Sequence, residues 1–132
     1  MSGCASGPLG PSRTFTPQQI NQKPEAFDGR IVRIRGYVNI GVENRTMYES
    51  KALQREGERR WKDVGFDPVP WKKYCLTLTN ALDQDVDLLA YNHRTVELLA
   101  RVEKDYGART IDLGACAIDT GIYFLRVVSV DD

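Results

Sequence analysis

The sequence carries one histidine, His93, and three cysteines, none of them spaced as Cys-x-x-Cys. A structural zinc site draws four ligands from cysteine, histidine and carboxylate, so the usual zinc motifs are excluded. Net charge is also lacking, because Lys plus Arg and Asp plus Glu number 18 each. A chain devoted to polyanions needs a surplus of cations, so this balance argues against nucleic acid as the main partner. No apolar run approaches the ~20 residues of a membrane-spanning helix. There is no internal repeat. The one biased tract is MSGCASGPLGPSR, residues 1–13. It is too poor in apolar groups to offset the entropy of ordering, and reads as a flexible tether before a single domain at 14–132.

What is present is a series of strand signals. Thr16, Pro17 and Gln19 form a capping box that opens a short helix, which Pro24 stops. Asp28-Gly29 is a turn signal. RIVRIRGYVNI follows, with Val32, Ile34 and Val38 on one face and Arg33, Arg35 and Tyr37 on the other. Gly36 inside this strand suggests a bulge or sharp bend. NRTMYES, YCLTLTN, TIDLGACAI and YFLRVVSV read as further strands, and residues 51–73 as a long polar excursion. HRTVELLARVEKDYG reads as an amphipathic helix over 93–106, with Leu98, Leu99, Val102 and Tyr106 as its stripe, Asn92 as cap and Gly107 as stop. Strands are expected at 30–40, 46–50, 74–80, 110–118 and 122–130.

PEAFDGRIVRIRGYV followed by ENRTMYES resembles the opening of small bacterial envelope OB-fold proteins of unassigned activity. That resemblance implies an all-β fold with one main helix: a five-stranded OB-fold-like Greek-key barrel, with the short N-terminal helix before its first strand. The fold hosts many activities, so it assigns none. Met1-Ser2-Gly3-Cys4 in turn resembles a bacterial lipobox, in which the cysteine receives lipid after a signal segment is removed. It implies lipidation at Cys4 and an envelope address on the periplasmic side or a secreted form. If Met1 is the true start, the address is cytoplasmic.

The candidate chemistry is sparse. Asp83, Asp85 and Asp87 open like a calcium loop, but Leu88 and Arg94 stand where the loop needs glycine and glutamate. His93 sits among polar neighbours and suits a surface or capping role better than a pair with Cys75 or Cys116. No catalytic residue, cofactor or metal is therefore expected. Cys75 and Cys116 are either a disulfide or two buried thiols. Base and aromatic interleave at Arg59, Arg60 and Trp61, at Trp71, Lys72 and Lys73, and at Arg33, Arg35 and Tyr37. Such clusters serve protein-binding hot spots and single-stranded nucleic acid alike. The expectation is a non-catalytic, lipid-anchored interaction module whose partner is an envelope protein or cell-wall component, with single-stranded nucleic-acid binding as the alternative.

Overall fold

Alternation of apolar and polar residues dominates the architecture, because each strand must hide one face. The computed structural model describes residues 13–41, 44–64, 74–81, 83, 87–106 and 120–131, with backbone alone at 44 and 60–64. Its elements in order are β1 (Thr14–Phe15), α1 (Pro17–Gln22), α2 (Pro24–Phe27), β2 (Ile31–Gly41), β3 (Asn44–Tyr48), α3 (Lys51–Val64), β4 (Cys75–Leu78), a 3-10 turn (Leu89–Tyr91), β5 (Thr95–Glu103) and β6 (Gly121–Val130). All six strands belong to one mixed sheet in the order β1-β2-β3-β4-β6-β5. Because β5 also pairs with β2, the ladder returns to the strand it left.

The expected start of the chain is present. Thr16 Oγ1 accepts from Gln19 N–H, Gln19 Oε1 accepts from Thr16 N–H, and Pro17 occupies the first turn of α1. Ile20 is carried inward, and Asn21 Nδ2 donates to the Cys75 carbonyl of β4 at 2.9 Å. A two-residue strand, β1, precedes this helix and runs parallel to β2 at Arg33 and Ile34. It makes the sheet six-stranded where five strands were expected.

β2 buries Val32, Ile34, Val38 and Ile40, as its alternation demands. Its register partners change partway: Ile31 to Tyr37 face β5, and Tyr37 to Gly41 face β3. Gly36 sits at the change. A Cβ there would lie 2.7 Å from both Met47 Cγ and the Tyr48 carbonyl oxygen. Close approach, rather than a bulge in β2, is thus what its glycine serves. The irregular registers fall between β5 and β6, at Glu97/Leu98 and Leu99/Ala100.

Two expectations need correction. Residues 95–103 are strand β5, not part of a helix over 93–106. Val96, Leu98, Ala100 and Val102 are all fully buried at period two, between Glu97, Leu99, Arg101 and Glu103. The adjacent pair Leu98-Leu99 imitates a helical stripe. Pairing on both sides, with β2 and β6, overrides it. Asn92 opens no helix; its N–H closes the 3-10 turn on the Leu89 carbonyl, and its side-chain amide bonds the β2 backbone at Ile40 in both directions, at 2.7 and 2.8 Å. The main helix is instead α3, inside the supposed polar excursion. Ser50 Oγ accepts from Leu53 N–H, and Gln54–Glu58 and Arg59–Glu56 bonds run along the helix. The expected strand at 110–118 lies outside the described residues.

The link between β4 and β6 is the shortest in the ring: Thr77 with Gly121 and Leu78 with Ile122, in parallel. It is prolonged by Thr79 N–H to the Ile122 carbonyl at 2.9 Å. Beyond that, Asn80 replaces backbone altogether. Its Nδ2 donates to the Phe124 carbonyl at 3.0 Å, and its Oδ1 accepts from Phe124 N–H at 2.8 Å.

Two substitutions check this account by urea unfolding. Gly36→Ala forces a carbon against backbone and is expected to cost about 1–3 kcal/mol. Asn80→Ala orphans two buried backbone groups and is expected to cost about 2–4 kcal/mol, more than Asn92→Ala at its less buried site. Equal midpoints for the two asparagine variants would refute the special place given to Asn80.

Candidate functional site

The outward face of β2 near its change of partner leads to the cleft. Tyr37 lies at the change, only 5% exposed, with the ring of His93 beside it. The two rings stack with centroids 6.4 Å apart and planes 25° from parallel. His93 is exposed and has φ +63°, the one left-handed non-glycine among the described residues. Its backbone is held there from both sides. His93 N–H donates to the Val38 carbonyl at 2.8 Å, and Val38 N–H donates to the Arg94 carbonyl at 3.0 Å. A β-type bond pair to β2 therefore fixes the turn that delivers Arg94 and Thr95 into β5.

Arg35 stands one pleat before Tyr37 on the same face. Its guanidinium pairs with the Asp131 carboxylate just after β6, with Nη1 to Oδ1 at 3.0 Å. Asp131 is itself moored, since its N–H donates to the Thr95 carbonyl at 2.8 Å. Lys51, the first residue of α3, lines the cleft as well. Its ammonium thus belongs to the helix end where a positive partial charge already sits. Together Arg35, Lys51, Arg94 and Asp131 join Tyr37, His93 and Thr95 around a cleft of about 400 Å³.

Of the residues singled out from sequence, Arg35 and Tyr37 belong to this cleft and Arg33 does not. Arg33 is half-buried beside Glu97, 3.9 Å away, and Glu97 also accepts from the Thr14 hydroxyl at 3.4 Å. Arg59 is exposed on α3 and bonds Glu56 at 3.2 Å. Arg60 and Trp61 lie on α3, but their side chains are outside the described part. Trp71, Lys72, Lys73, Cys4 and Cys116 also lie outside the described residues. Cys75 is fully buried in β4.

Arg94, Thr95 and Asp131 had no signal in the sequence, and Lys51 almost none. Each is an ordinary polar residue until register brings it beside β2. For Lys51 one clue existed, the Ser50 cap followed by strong helix formers. Among the described residues no group of three or more His, Cys, Asp or Glu could hold a metal ion. Comparisons with known protein families, curated proteins and solved structures find no match to this chain.

The backbone of His93 can be tested apart from its ring. His93→Ala and His93→Gly both remove the stacking on Tyr37, but only alanine keeps a Cβ in the left-handed region. The glycine variant is expected to be the more stable of the two by roughly 1 kcal/mol in thermal or urea unfolding. Alanine equal to or above glycine would contradict the fixed turn.

Proposed function

We propose that this protein is a non-catalytic binding module, with the cationic cleft as its contact site. One observation carries the reading: three basic side chains, from β2, α3 and the turn before β5, line one cleft. Arginine keeps its proton and offers a fixed fork of donors, so these groups are suited to hold an anion rather than to shuttle protons. Tyr37 and His93 add a stacked pair beside them.

The finer fold proposal is a five-stranded OB-fold-like barrel. It is supported by the cycle of pairings β2-β3-β4-β6-β5 back to β2, with β1 as an added strand. In this proposal α3 lies between the second and third barrel strands, β3 and β4, rather than between the third and fourth as the sequence suggested. The module belongs to the bacterial envelope, anchored through lipid on Cys4, with the residues up to 13 as its tether. The lipobox-like Ser2-Gly3-Cys4 supports that address, and Cys75 is proposed to bridge to Cys116 there.

Two experiments decide. Expressed with its natural upstream sequence, the protein should partition into detergent and incorporate palmitate, and Cys4→Ser should abolish both. A soluble, unlabelled wild type refutes the anchor. A mixed-sequence oligonucleotide, titrated at about 50 and 200 mM salt with tryptophan fluorescence as readout, should not bind at either. Micromolar binding that falls steeply with salt would establish the nucleic-acid reading instead.

A further inference from the structure

We propose that the cleft binds a carboxylate group, with the Tyr37 hydroxyl and the Lys51 ammonium as its donors. This names a ligand class for the binding reading above and rests on it. Tyr37 is the first observation. It lines the cleft, yet only 5% of the residue is exposed. Among the described residues its hydroxyl has no hydrogen-bond partner, and the oxygen is not sealed off from the cleft. The hydroxyl of a buried tyrosine ordinarily finds a partner in the fold. This one keeps its donor for what enters the cleft.

Lys51 is the second. Among the described residues no carboxylate pairs with its ammonium. It stands in the first turn of α3, which holds no acidic residue. A cation there opposes the helix dipole, and an anion beside it relieves that opposition.

The other charges of the cleft are committed. Arg35 is joined to Asp131, and Arg94 is engaged as well. With His93 neutral, Lys51 is the uncommitted cation of the described lining. The matching ligand therefore carries one negative charge. A second charge would face the Asp131 carboxylate, which lines the same cleft. Among monoanions, a carboxylate concentrates its charge on two oxygens and is a stronger acceptor than a sulfonate or a phosphodiester. One oxygen takes the charge-assisted bond from Tyr37 and the other serves Lys51. The exposed His93 ring, stacked beside Tyr37, offers a flat surface to the group that bears the carboxylate.

The test uses the full chain and three probes built on one ring: benzoate, benzamide and benzenesulfonate. In NMR titrations benzoate should bind at least about tenfold tighter than the other two, with amide shifts centred on residues 37, 51 and 93–95. Tyr37→Phe removes only the hydroxyl, and Lys51→Gln removes the charge. Each should weaken benzoate about tenfold. Without ligand, the urea midpoint of each should hold or rise, which a structural role for either group would not allow. N-acetylated Ala-Ala-Phe with a free C-terminus identifies the source. Bound tighter than benzoate it assigns a peptide end, and bound more weakly a small carboxylic acid. Benzamide or benzenesulfonate bound as tightly as benzoate, or unchanged affinity in both variants, overturns the carboxylate and leaves the binding-module reading standing. No shift at the cleft with any probe overturns both.

Discussion

Closing a sheet on itself demands that every junction supply hydrogen bonds, and here the burden falls on a link of two register pairs. β4 is four residues long, with all four buried, so it has little backbone to offer β6. A side-chain amide has the same donor and acceptor as a peptide group, and Asn80 uses both against Phe124. The last stretch of the junction is therefore built from a side chain that reproduces a rung of ladder. The shared core of β2, β4, β5 and β6 lies within the pairings this junction completes. Left unpaired, Phe124 N–H and C=O would be polar groups buried against that core, which is costly without water to replace the bonds.

The same device recurs on the opposite side, where Asn92 bonds Ile40 in both directions. Its effect there is positional. With Asn92 fixed to β2, the chain has two residues in which to turn and enter β5. His93 pays for that turn with a positive φ. The cleft is a result of this economy: the segment that must hug β2 also sets Arg94 and Thr95 next to Arg35, and β6 ends alongside at Asp131.

The sequence was legible where one local rule governed. The capping box at Thr16 and Gln19 and the alternation through Val32, Ile34 and Val38 needed no knowledge of neighbours, and both stand in the structure. β5 was misread because Leu98 and Leu99 are adjacent in the strand, the outward Leu99 being apolar and buried while its outward neighbours Glu97 and Arg101 are not. Leu99 is only 6% exposed. α3 was missed because its segment is polar overall, although Leu53, Trp61 and Val64 recur at helical spacing within it. The site was legible by half. Arg35 and Tyr37 share a face of one strand, a local fact, whereas Lys51, Arg94 and Asp131 meet them only through register across the sheet.

Asn80 also makes the fold sensitive to the chemical identity of one amide. Hydrolysis of its amide would leave a carboxylate of nearly the same shape, 3% exposed and without the Nδ2 donor. The Phe124 carbonyl would then face an oxygen where it now accepts a hydrogen bond, and a negative charge would lie against apolar neighbours. Deamidation is ordinarily a surface event with small effect. At this position a gain of one mass unit would weaken the β4–β6 junction while its Thr77, Leu78 and Thr79 bonds remain, so a single atom exchanged in one side chain would be felt in the closure of the sheet.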